Sequence, residues 1–190
     1  MRPETRRVVL LLVALACAAC ARPTGTITGR TSTPAEARIL SEAINPLLAV
    51  VDDPAVRREG CKIALAIVPT PQINAGVGAG TATPCTTFTL LVSEGALARL
   101  PAGMLRAVLA HELGHVALGH RGASTRAREA EADAFAVKLL RRIESRFPDA
   151  CVQLVYVLSV LAEQTGPSAW LSAHPSPDRR ADMVMEGCNR

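Results

Sequence analysis

The stretch His111-Glu112-Leu113-Gly114-His115 sets two imidazoles four positions apart with a carboxyl beside the first. On a helix that spacing stacks His111 and His115 one turn apart on the same face. Two ring nitrogens there can meet one Zn²⁺ at about 2.0–2.1 Å. Glu112 is rotated about 100° from His111, at the rim of that face, where it can reach an activated water without ligating the metal. The chemistry this predicts is metal-assisted hydrolysis with Glu112 as general acid/base. Two satisfied core histidines on a buried helix are the plain alternative, so a third ligand has to decide between them.

His120 lies close in sequence but does not fit that role. On a continuing helix it points about 140° away from His115. The longer pattern HExxHxxGxxH needs Gly at 118 and His at 121, where this chain has Leu118 and Arg121. Gly119 reads as the helix terminator, which leaves His120 a structural residue at a helix C-terminus, favourable to the dipole. The third ligand is expected from a second helix, where residues 128–140 offer Glu129, Glu131 and Asp133. Glu129 shares a stripe with Ala132, Asp133, Ala136 and Leu140, whereas Glu131 shares its face with Phe135, Lys138 and Arg142. A carboxylate on an apolar buried stripe costs several kcal/mol unless it is paired or metal-bound. Glu129 is therefore the ligand candidate, Glu131 a solvated bystander, and Asp133 a hydrogen-bond partner for a ligating histidine.

Around these residues, "LRAVLAHELGHVALGH", "EAEADAFA" and "HPSPDRRADM" together resemble the metallopeptidase family that includes HtpX, the CAAX prenyl protease and small envelope lipoproteins of the LoiP type. "INAGVGAG" and "FTLLVSEGAL" are similar to that family's strand segments, and the likeness spans roughly residues 36–187. The resemblance implies a gluzincin endopeptidase in which His111, His115 and Glu129 bind one zinc and Glu112 is the catalytic acid/base. It also implies that His174 and Arg180 lie near the site, with His174 as an oxyanion donor. Ser176-Pro177 reads as an N-cap followed by Pro at the first helical position, which would fix His174 just outside a helix. Asn74 and the strand around it are candidates for pairing with an extended polypeptide substrate. Two departures stand out. Gly76 occupies a position where the family usually has Phe, and the chain lacks the transmembrane helices of HtpX.

The elements that must position these residues follow from periodicity. Ile39, Ala43, Ile44, Leu47 and Leu48 recur at helical spacing between Ala35 and about Val51. Residues 61–69, 72–80 and 86–95 read as three strands joined by Gly- and Pro-rich connections in an up-down-up run. Helices are expected at 101–118, with Leu105, Val108 and Leu109 as its buried stripe, and at 124–145, 149–164 and 177–187. The fold class is α+β, a mostly helical zincin-like domain with a small three-stranded sheet.

The 190 residues allow one domain with a substantial core. Residues 1–20 stand apart from it: Arg2, Arg6 and Arg7 precede an apolar run from Val8 to Ala16, the layout of an export signal too short to span a bilayer. The ending "ACAAC" suggests a lipoprotein-type signal with Cys20 as the lipidated residue and Cys17 as the alternative. Residues 21–34, rich in Thr, Gly and Pro, read as a flexible tether, and residues 35–190 as the peptidase domain. Cleavage before Cys20 leaves 21 − 3 basic and 17 − 1 acidic side chains, a net charge of +2. With aromatics at 3% there is no stacking platform, so nucleic acid is excluded as a partner.

Export also explains the cysteines. Cys61, Cys85, Cys151 and Cys188 remain, an even number for an oxidising compartment. In an up-down-up run the first and third strands start at the same end, which predicts Cys61–Cys85. Cys151 opens a helix and Cys188 closes the last one, which predicts Cys151–Cys188. Together these readings place a lipid-anchored zinc endopeptidase in the cell envelope. A zinc-bound chaperone that holds polypeptides without cutting them, and a metal-free structural lipoprotein, are the competing classes.

Overall fold

A computed structural model describes residues 29–56, 62–79, 86–120, 125–165 and 177–190. Residues 1–28, which carry the expected signal and most of the expected tether, lie outside the described residues, as do Cys61, Cys85 and His174. The order of elements is α1 (Pro34–Val50), β1 (Lys62–Val68), β2 (Ala75–Ala79), β3 (Thr86–Ser93), α2 (Glu94–Arg99), α3 (Ala102–Ala117), α4 (Arg126–Arg141), α5 (Val152–Thr165) and α6 (Pro177–Asn189). This is an α+β fold, helices packed on one small mixed sheet. No helix among the described residues is long and apolar enough to cross a membrane.

The first helix starts where local chemistry dictates. Thr33 caps the amide of Glu36 while the Glu36 side chain returns to the Thr33 N–H, and Pro34 begins the helix where no donor is needed. Leu40, Ala43, Ile44 and Leu47 form the buried face, and Pro46 is tolerated inside the helix. Leu40 takes the core place expected of Ile39, which packs only partly buried against it. Just upstream, Arg30 exchanges both backbone hydrogen bonds with Ile67, at 2.9 and 3.0 Å. Its guanidinium binds Glu36 and Glu94, the closest contacts being 2.6 and 2.8 Å. The Arg30 hydrogen bond, helped by the Thr33 backbone, holds the Glu36 carboxyl down from 4.5 to about 2. Arg30 thus pins the start of the described chain against the edge of β1.

The strand directions follow the up-down-up reading, since β1 and β3 run parallel and β2 runs antiparallel to β3. The order is β1-β3-β2, so β3 is central, with Phe88, Leu90 and Val92 buried on its inner face. Lys62 and Thr86 are register partners, which sets the starts of β1 and β3 side by side. The third strand stops sooner than its apolar run implies. Ser93 is the last paired residue of the strand and its side chain caps the amide of Ala96, so the expected strand residues Glu94 and Gly95 instead open a short helix. A side-chain oxygen on offer to an unpaired N–H wins over continued strand pairing there.

α3 runs through the centre of the molecule, packed by α1, α4, α5 and β2. Every residue from Leu105 to His115 is buried, so the expected amphipathic stripe of Leu105, Val108 and Leu109 understates the helix, which is enclosed on all sides. Arg106 fits inside because its guanidinium lies 3.8 Å from the Phe147 ring centroid and Nη2 donates to the Glu42 carbonyl at 3.4 Å. The final helix is tied to the start of α5 by a Cys151–Cys188 disulfide, with Cα atoms 5.8 Å apart. The bridge holds α6 where Arg180 can reach α4.

Candidate metal centre

The interior of α3 presents His111 and His115, and α4 presents Glu129 and Asp133, all four at most 6% exposed. The two helices can approach because Gly114 has no side chain. A Cβ there would stand 2.9 Å from the Ala132 carbonyl oxygen and 3.1 Å from its Cα. A glycine in a helix interior costs about 1 kcal/mol relative to alanine, and here the cost secures close contact between the two helices. Thr125 starts α4 by accepting from the Arg128 amide at 3.3 Å, which places Glu129 in the first turn facing α3.

His111, His115 and Glu129 each offer one donor atom within 4.8 Å of the other two. The nearest approaches are shorter. The two Nε2 atoms are 3.1 Å apart, Glu129 Oε2 lies 3.4 Å from His111 Nε2, and Glu129 Oε1 lies 3.5 Å from His115 Nε2. Ligands at about 2.0–2.1 Å on the corners of a tetrahedron are separated by about 3.3 Å. The closest approaches of 3.1–3.5 Å, made to the two histidines by different Glu129 oxygens, are near that edge length, so the three side chains suit a shared tetrahedral cation.

The outer side of the cluster is a charged frame. Asp133 Oδ1 accepts from His111 Nδ1 at 2.9 Å. Burial alone would push the Asp133 carboxyl up, but the Arg180 charge and the His111 and Arg180 hydrogen bonds hold it below the ordinary range. Arg180, 2% exposed, donates from Nε and Nη2 to the two oxygens of Asp133, both at 2.7 Å, and its Nη2 stands 3.9 Å from Glu129 Oε2. With Asp133 ionised, His111 carries its proton on Nδ1 and turns the Nε2 lone pair toward Glu129.

Two residues lie differently from their sequence reading. Glu131 is exposed, yet it is not a bystander, because its Oε2 accepts from His120 Nε2 at 2.9 Å. His120 is not merely a cap residue, because its Nδ1 stands 2.9 Å from His115 Nδ1. The rotation argument against contact assumes that the helix continues, whereas α3 ends at Ala117 and Gly119 takes φ +63°. That left-handed turn folds His120 back over His115. The same reversal in "HVALGH" was the signal available in the sequence, since Gly at the end of a helix predicts it.

A cleft lies beside the cluster, lined by Glu112, His111 and Arg180 together with Asn74, Ala75 and Val108. Glu112, 3% exposed, therefore adjoins both the ligand pair and the cleft. Asn74 precedes β2, and its backbone is held by Ser93: the Asn74 amide donates to Ser93 Oγ and its carbonyl accepts from the Ser93 amide, both at 2.9 Å. Gly76 faces open space, with nothing within 4 Å of where its Cβ would stand. His174 lies outside the described residues.

A model of peptidase family M48 matches residues 47–125 and 121–186, most of the chain. The chain belongs to peptidase family M48. For an M48 chain, a metal-dependent peptidase fold and a buried His-His-Glu cluster are one observation seen twice. Comparison with curated proteins finds no match for the chain.

Proposed function

We propose that this M48 chain is a zinc-dependent endopeptidase that cleaves extended polypeptide in the cell envelope, in protein quality control. The observation that carries the reading is the donor triangle of His111, His115 and Glu129 beside Glu112 at one cleft. Two imidazoles and a carboxylate at tetrahedral spacing suit zinc, which takes nitrogen and oxygen donors and tolerates an open corner. Zinc bound there would supply a Lewis acid that polarises a peptide carbonyl and eases deprotonation of water.

The protein's own residues do the rest. Glu112 takes the proton of the attacking water and returns it to the leaving amine. His111 is held by Asp133, and Asp133 by Arg180, so the ligand face keeps its orientation through the reaction. β2 is an outer strand of the sheet and flanks the cleft, which supports pairing of an extended substrate along it. Asn74, at the head of that strand, would meet the substrate backbone. His174 is kept as the oxyanion donor on the resemblance alone.

The decisive experiment measures zinc content and casein cleavage with Glu112→Gln and Glu129→Gln variants. Glu112→Gln is expected to retain one zinc and lose hydrolysis by orders of magnitude, since only proton transfer is removed. Glu129→Gln is expected to lose the zinc. A zinc-loaded wild type that does not cleave casein would place the protein among chaperones instead, and near wild-type turnover by Glu112→Gln would remove Glu112 from the mechanism. Envelope anchoring through lipid on Cys20 is part of the same proposal. The wild type should partition into detergent and Cys20→Ser should not; an unlipidated wild type would leave only a secretory signal.

A further inference from the structure

We propose that His120 is a positioning residue for the metal centre, accepting a hydrogen bond from His115 and so fixing which nitrogen of His115 faces Glu129. The inference rests on the zinc reading above and extends it to two residues outside the ligand set. The backbone places His120 first. The His120 amide donates to the His115 carbonyl and the Gly119 amide to the Val116 carbonyl, each at 3.0 Å. This is the paired hydrogen bonding of a helix that ends in a left-handed residue, with His120 two positions beyond the cap and His115 one turn inside it. The motif therefore brings the two rings together through their own backbones, and their centroids lie 5.1 Å apart.

The proton count then follows. Two imidazole nitrogens 2.9 Å apart share one proton, so one ring donates and the other accepts. The far side of His120 and the needs of the metal settle which. Its Nε2 lies 2.9 Å from Glu131 Oε2, a carboxylate oxygen that accepts, so Nε2 carries a hydrogen; because a zinc ligand needs the Nε2 lone pair of His115, His120 Nδ1 is the accepting nitrogen. The proton between the rings belongs to His115 Nδ1. His115 Nε2 is left with its lone pair, turned toward Glu129 Oε1 and the partner nitrogen of His111. Asp133 imposes the same tautomer on His111 from the other side. Each ligating histidine thus has its own acceptor, a buried carboxylate for His111 and the His120 ring backed by Glu131 for His115. His120 is 9% exposed, so water is poorly placed to substitute for it, whereas the Glu131 side chain is 59% exposed and water can replace it.

The test measures zinc release from the full chain to a chromophoric chelator, and the visible absorption of the Co²⁺-loaded protein. The variants are His120→Leu, His120→Asn and Glu131→Ala. Removing such a partner typically costs about 10–100-fold in metal affinity, so His120→Leu should release zinc faster by that order. The asparagine side-chain oxygen sits where Nδ1 does along the side chain, so His120→Asn should recover most of the loss. Glu131→Ala should change release by less than either. The Co²⁺ spectrum should shift in His120→Leu and return in His120→Asn. The melting temperature of the metal-free chain separates these effects from a folding defect. If His120→Leu does not fold, His120→Asn alone decides: release near the wild-type rate with an unshifted Co²⁺ spectrum supports the proposal, and release at least tenfold faster overturns it. Wild-type release rates in His120→Leu, or equal rates in the Leu and Asn variants, likewise overturn it. A wild type that binds no zinc would overturn the function proposed above and this inference with it. A wild type that holds one zinc no more firmly than His120→Leu overturns the inference alone.

Discussion

At the scale of single residues, the buried acids and bases of the candidate centre face one another. Arg180 and Asp133 are both buried and meet through two bonds of 2.7 Å. Removing one partner leaves the other charge stranded, a cost of about 3–5 kcal/mol, whereas removing both often costs far less. Arg180→Met should therefore destabilise the fold more than the double replacement of Arg180→Met with Asp133→Asn. Urea denaturation of the metal-free variants checks this, and additive losses would contradict it. The sequence carried much of this scale. The period of the helix puts His111 and His115 on one face, and the alanines around Glu129 separate it from Glu131. It did not carry the Arg180–Asp133 contact, which joins residues 47 positions apart. It misread His120 because a fixed rotation per residue has no meaning past Gly119.

At the scale of elements, the decisive contact is α3 on α4, and it turns on Gly114. In an exposed helix Gly→Ala would stabilise by about 1 kcal/mol. Here the added methyl meets the Ala132 backbone at 2.9 Å, so Gly114→Ala should instead destabilise by about 1–3 kcal/mol. By moving Glu129 away from the histidines it should also weaken zinc binding. Chemical denaturation and zinc titration check the two effects, and a stabilised Gly114→Ala would show that the helices can separate freely. Helix positions were legible because apolar periodicity over segments such as 35–51 and 101–118 matches helices that form there. α2 was not, because Thr86 to Ser93 reads as strand up to the residue that caps a helix. The all-round burial of α3 was hidden by Arg106, a polar residue that a surface helix would turn to solvent but that here meets the Phe147 ring and the Glu42 carbonyl.

At the scale of the whole molecule, the described chain closes on itself at both ends. The Cys151–Cys188 bridge spans 37 residues, for which chain entropy gives about 4 kcal/mol of stabilisation. Reduction should lower stability by that order and loosen α6, and with it the Arg180 hold on Asp133. Thermal unfolding with and without reductant, compared with Cys188→Ser, checks this, and an unchanged melting temperature would contradict it. Peptide mapping of the same protein tests the proposed Cys61–Cys85 bridge, whose neighbours Lys62 and Thr86 are paired; a Cys61–Cys151 peptide would contradict that bridge. The other end bears on where the enzyme can act. Arg30 occupies the free edge of β1, and the sheet order puts β2 and the cleft on the opposite edge. On the proposed lipid at Cys20, the covalent chain to Gly29 would reach at most about 30 Å. Under that proposal the cleft would face away from its mooring, and the leash would set a working altitude. Polypeptide dangling within one protein diameter of the bilayer would be in range, and polypeptide adrift in the wider compartment would not.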